Sequence, residues 1–148
     1  MASRSKAGPK IARVAAGAGF LGIALIHGLD LSGKLEETPY IGVLYIVLIA
    51  ACVGLTALAA FRWSDRLWAL GALVAASPLA GYVLTRTVGL PGARDDIGNW
   101  GEPLGIASIV VEMITLAVCL TAARSSRRPA SDGALTASSP SQRKAARV

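Results

Sequence analysis

Four long apolar stretches, each separated from the next by a short cluster of charged residues, constrain this chain more than any other feature. They run from about Ile11 to Leu29, Pro39 to Phe61, Leu67 to Val88 and Pro103 to Ala123. Each is around 20 residues, enough to cross ~30 Å of hydrocarbon at about 1.5 Å per helical residue. Backbone groups in lipid must be satisfied within their own segment, so each stretch is read as a transmembrane helix. Hydrophobic residues make up 53% of the 148 and charged ones 16%, too little charge to coat a soluble domain this small. The fold class expected is therefore all-α: an up-down-up-down bundle of four membrane-spanning helices with left-handed packing. A basic N-terminal tail (residues 1–10) precedes the membrane domain (11–123), and a basic, disordered tail (124–148) follows it.

Helix starts carry local signals. Thr38 is placed to cap a helix whose first residue is Pro39, Ser64 to cap the third helix, and Pro103 to open the fourth. Pro78 removes a donor inside the third helix, frees the carbonyl of Val74 and is expected to kink it. A basic start followed by "VAAGAGFLGIALI" also suits a signal peptide, but "HGLDLSGKL" offers no small-x-small cleavage site, so the first stretch is read as a retained span.

Orientation follows from lysine and arginine placement. Arg4, Lys6, Lys10, Arg13, Arg62, Arg66, Arg124, Arg127, Arg128, Arg143, Lys144 and Arg147 fall on one side. Only Lys34, Arg94 and the boundary residue Arg86 fall on the other, among Asp30, Glu36, Glu37, Asp95, Asp96 and Glu102. Both termini are expected in the cytoplasm of a plasma (inner) membrane, with two acidic loops outside. The net charge of +6 lies mostly in the tails, and neither tail interleaves basic with aromatic residues, so no nucleic-acid partner is expected.

Helix contacts in membranes favour small or weakly polar residues. On the fourth helix Gly105, Ser108, Glu112, Thr115 and Cys119 form one such stripe. Gly71, Ala75, Pro78, Tyr82 and Thr85 form another on the third, with Arg86 beside it. Gly42, Tyr45, Ile49, Cys52 and Thr56 repeat the pattern on the second. The first offers Ala15, Gly19 and Gly22 next to Phe20, Ala24 and His27, and its pairs Ala15/Gly19 and Ala18/Gly22 suit a homodimer or another membrane-protein partner.

Glu112 lies nine residues past Pro103, about 13 Å into the bilayer. An acid on a lipid face at that depth costs a few kcal/mol, so it is expected to face inward, where it is protonated or paired. Side chains lean toward the N-terminus of their own helix, which aims Arg86 and His27 at Glu112 from the opposite direction. The expected site is thus a polar cluster in the outer half: Glu112, Arg86, His27 and Tyr82 as ligand or proton-binding residues. Over it lies a loop cap of Asp95, Asp96, Trp100 and Glu102. The alternative is an Arg86 that reaches outward to the loop acids and a Glu112 bonded to Ser108.

One histidine cannot make a bis-histidine haem site, and Cys52 and Cys119 lie in apolar stretches without the paired spacing a zinc site needs, so no metal, cofactor or disulfide is expected. In the loop, "GLPG" reads as one tight turn and "GNWGEP" as a second. Trp100 and Trp68 are placed as belt residues near opposite interfaces, with Trp63 beside Trp68.

The stretch "YVLTRTVGLPGARDDIGNWGEPLG", with Glu112 beyond it, resembles a motif of small four-helix bacterial membrane proteins of unassigned function. In those, an R-T-x-G-L-P turn precedes W-x-E-P-x-G and a further helix. The resemblance spans Gly81 to Glu112 and implies the same architecture, with no activity to transfer. Arginine-rich, alanine-heavy usage suits a GC-rich bacterial genome. Function is accordingly expected to be non-catalytic: an accessory or scaffold subunit, or a bundle that binds a small ligand. The alternatives are a small proton-coupled transporter working through Glu112 and, last, a quinone-linked redox enzyme, since no nucleophile–base pair or C-x-x-C is present.

Overall fold

The computed structural model describes residues 7–61 and 64–126, and these form four helices without a named strand. Helix α1 spans Ala7–Glu37, α2 Pro39–Phe61, α3 Asp65–Thr87 and α4 Pro103–Ser126. All four are long and apolar enough to cross a membrane. Trp63, the basic residues Arg4, Lys6 and Arg62, and the tail from 127 to 148 lie outside the described residues.

The largest departure from the sequence expectation is at the end of α1. That helix has 31 residues and runs on through "DLSGKLEE", where the charge pattern predicts an acidic loop. Leu31, Lys34, Leu35 and Glu36 are competent helix formers. Lys34 also donates to Glu37 at 2.9 Å, one turn on. Pro39 then ends the helix, because it disfavours helical geometry at the residue before it. Thr38 is the single residue between α1 and α2, and its carbonyl accepts from the N–H groups of Ile41 and Gly42. Its hydroxyl does not cap α2. It faces the carbonyl of Gly92 at 3.4 Å, while Tyr40 donates to the carbonyl of Pro91 at 2.7 Å. The α1–α2 corner is therefore tied to the "GLPG" turn of the α3–α4 loop.

The remaining boundaries need smaller adjustments. Ser64 takes the extended conformation of an N-cap, but its side chain makes no capping bond. Asp65 instead supplies negative charge to the first turn of α3. Helix α4 continues to Ser126, three residues past the expected edge of the membrane domain. Pro78 leaves α3 unbroken, and the Val74 carbonyl it frees accepts from the Ser77 hydroxyl at 2.9 Å.

Around the bundle, α1 packs against α2 and α4, and α4 against α3, while α2 and α3 barely touch. The buried apolar core lies at the end away from the α3–α4 loop. Ala16, Phe20 and Ile23 of α1 meet Cys52 and Leu55 of α2, Trp68, Ala72 and Ala75 of α3, and Cys119 of α4. Trp68 is thus a core residue, not an interfacial belt residue. One turn into α3, it shares a face with Ala72 and Ala75 and is buried with them. Both cysteines are buried free thiols.

The small-residue stripes fare well. Ser108, Glu112, Thr115 and Cys119 are the buried residues of α4, and Gly71 and Ala75 are buried on α3. Glycines set the approach of α1 to α4. A Cβ at Gly22 would lie 3.0 Å from Val111 Cγ1, and one at Gly19 3.1 Å from two Thr115 carbons. Gly19 and Gly22 are therefore spent inside the bundle, which removes them from the homodimer surface assigned to Ala15/Gly19 and Ala18/Gly22.

Candidate functional site

At the loop end the gap between α2 and α3 opens into a cavity of about 370 Å³. Its wall holds apolar groups such as Ile41, Leu44 and Ala51 together with the polar residues of all four helices. Those polar residues fall into two groups.

The upper group is built on Arg86, which is buried at 5% exposure in the last turn of α3. Its Nη1 lies 3.0 Å from Asp96 Oδ2, and its Nη2 donates to Glu102 Oε2. The ring of Tyr82, one turn back, packs 4.7 Å from the guanidinium carbon, and the Tyr82 hydroxyl donates to the carbonyl of Trp100 at 3.2 Å. The Trp100 and Tyr82 rings are also T-shaped to one another, with centroids 5.9 Å apart. The loop reaches this geometry because Gly89, Gly92 and Gly98 adopt positive φ of 76°, 78° and 79°. Gly98 N–H bonds the carbonyl of Arg86 at 3.0 Å, which folds the acidic segment back over α3. Of the expected cap, Asp96, Trp100 and Glu102 take part, whereas Asp95 is exposed and does not.

The lower group is built on Glu112, only 1% exposed. Ser108, one turn earlier on α4, donates to Glu112 Oε1, and His27 Nε2 of α1 lies 3.7 Å from the same oxygen. His27 Nδ1 is 3.0 Å from the carbonyl of Ile23. That carbonyl can only accept, so Nδ1 carries a hydrogen, and Nε2 is the nitrogen turned toward Glu112. The Tyr45 and His27 rings meet in a T-shaped arrangement with centroids 4.6 Å apart, and the Tyr45 hydroxyl reaches Asp30 Oδ2 at 3.4 Å. A continuous line of polar groups therefore runs Asp30, Tyr45, His27, Glu112, Ser108 across α1, α2 and α4.

The inward orientation of Glu112 and its approach to His27 agree with the sequence expectation. Its direct pairing with Arg86 does not. The guanidinium turns to Asp96 and Glu102, because the loop folds two carboxylates over the end of α3 and a charge-assisted bond there needs no further burial of charge. Asp30 and Tyr45 were missed as site residues. The sequence places Asp30 among the loop acids, yet it follows His27 by three residues. Only the extended helix puts the two on one face.

Comparison with protein-family models, with curated proteins and with solved structures finds no match.

Proposed function

We propose that this chain is a non-catalytic, multi-pass protein of a bacterial inner membrane that binds a small molecule in the cleft between α2 and α3. Both termini lie in the cytoplasm on this reading, since the basic residues cluster at their end of the bundle. The cavity then sits in the outer half of the membrane. One observation carries the reading: the cavity brings an apolar wall together with a buried polar line, at a size near the lower end of ligand pockets. Four packed helices serving only as an anchor would have no reason to keep Glu112, His27 and Arg86 around an open space, because each is costly to bury. The resemblance of the "RTVGLPG…WGEPLG" loop to small bacterial membrane proteins supports the setting but adds no ligand.

The test is to extract the protein from its native membrane into lipid nanodiscs and identify bound molecules by native mass spectrometry. Wild-type protein is expected to carry one small molecule, and Ala51→Phe, which fills the wall from α2, is expected to lose it at unchanged helix content. A wild-type protein that emerges empty, or a bound mass indifferent to Ala51→Phe, would sink the reading.

The contact of Glu112 with His27 favours one second reading, a proton-coupled carrier. In reconstituted vesicles with an imposed proton gradient, that reading requires Glu112→Gln to abolish flux of the carried molecule. A rate equal to wild type removes it.

A further inference from the structure

The hydrogen-bonding inventory of the cavity wall says what kind of molecule fits, taking the ligand-binding reading as its basis. Four carboxylates line the cavity, those of Asp30, Asp96, Glu102 and Glu112, against two permanent cations, Lys34 and Arg86. Neither cation waits for an anion. Arg86 is held by Asp96 and Glu102, and Lys34 is paired with Glu37 at 2.9 Å. The hydroxyl donors are spent as well. Ser77 donates to the Val74 carbonyl, Tyr82 to Trp100, Thr85 to Tyr82, Tyr45 to Asp30 and Ser108 to Glu112.

Unspent acceptors remain. Among the described residues no donor reaches Glu112 Oε2, Glu112 faces no lysine or arginine and only His27 at 3.7 Å, and Asp30 receives a single bond of 3.4 Å. Each carboxylate offers about four lone-pair sites, so both are far from satisfied. One donor is left over too. Among the described residues the Nε–H of the buried Arg86 has no acceptor, an uncommon state for a buried polar atom.

We infer that the cleft takes an amphiphilic amine bearing a nearby oxygen acceptor. Its ammonium lies against Asp30 and Glu112, its oxygen toward the Arg86 side chain, and its apolar body between α2 and α3. The opening between those two helices gives such a molecule entry from the side. Tyr45, whose ring borders His27, adds an aromatic wall of the kind that attracts cations. A fatty acid or an anionic lipid is disfavoured by the surplus of carboxylates. Two sources share the required chemistry: an ethanolamine lipid of the bilayer and a free long-chain amino alcohol.

The experiment uses the full chain in phosphatidylcholine nanodiscs, with 2-aminododecan-1-ol as probe and 1-dodecanol and laurate as chain-matched controls. Saturable amino-alcohol binding about tenfold or more tighter than that of dodecanol is expected, with laurate weakest. Glu112→Gln and Asp30→Asn are each expected to cut probe affinity about tenfold; the second replaces a half-buried residue with one weak bond and so guards against a folding defect in the first. Laurate binding as tightly as the probe overturns the inference, as does a preference that survives both substitutions. If dodecanol equals the probe and both are lost in Ala51→Phe, the amine inference falls while the ligand cavity stands. If nothing binds, both fall. Displacement of the probe in phosphatidylethanolamine discs assigns the site to the lipid, and retention assigns it to a free amphiphile; the shared head-group chemistry holds in either case.

Discussion

Replacing Arg86 with alanine is expected to destabilise the protein by about 2–3 kcal/mol and to release the α3–α4 loop. Truncating one partner of a buried ion pair typically costs about 3–5 kcal/mol, because the other charge is left without compensation. Here the stranded carboxylates, Asp96 and Glu102, keep 23% and 30% side-chain exposure, which lets water recover part of that cost. The substitution also removes the cation over the Tyr82 ring, and with it one of the restraints on the Tyr82–Trp100 contact. In nanodiscs the variant should melt at a clearly lower temperature, and the loop should become cleavable by trypsin at Arg94. Arg86→Lys should recover only part of the loss, since an ammonium cannot present two separated N–H groups to two acids as a guanidinium does. A melting temperature and a cleavage rate like those of the wild type would show that these contacts contribute nothing.

The second large effect is expected at Gly19. A leucine there would drive its Cβ to within 3.1 Å of two Thr115 carbons, and closer still to the Thr115 hydroxyl, before any further atom is placed. Thr115 cannot step aside. It is 1% exposed, branched at Cβ, and its hydroxyl is held by the Val111 carbonyl at 2.7 Å. The α1–α4 contact must therefore widen, at about 3 kcal/mol, the upper part of the usual range for overpacking. Because His27 and Glu112 face each other across that same contact, the loss should extend to ligand binding. Thermal unfolding and probe binding measured on Gly19→Leu check both points. A dimer interface at Ala15/Gly19 would give the opposite pattern, a change in oligomeric state with the melting temperature preserved.

These two residues also mark where sequence and structure part company. Gly19 was legible as a close-packing position from its spacing alone, but spacing is indifferent to whether the neighbour is α4 or a second copy. Arg86 and Glu112 were both legible as members of a polar cluster, since an ionisable group within an apolar helix must turn inward. Which acid Arg86 would choose was not. A long side chain near a helix end can lean into the bundle or fold back to a loop, and the choice rests on where three loop glycines of positive φ carry Asp96 and Glu102. Asp30 escaped notice for a related reason. Hydropathy falls after Leu29, and the drop in apolar character looks like the end of a helix even where the backbone continues helical for two more turns.

Four membrane-length helices, their boundaries at the prolines, and the inward stripe through Glu112 all come from the chain read in order. They depend on hydrophobicity and helical period, which are local properties. The open α2–α3 side, the split of one expected polar cluster into two, and the donor-poor wall of the cavity belong to the tertiary structure alone. They depend on which helices touch and on how competing partners at similar distances divide a limited set of hydrogen bonds, and no periodicity along a single helix encodes that.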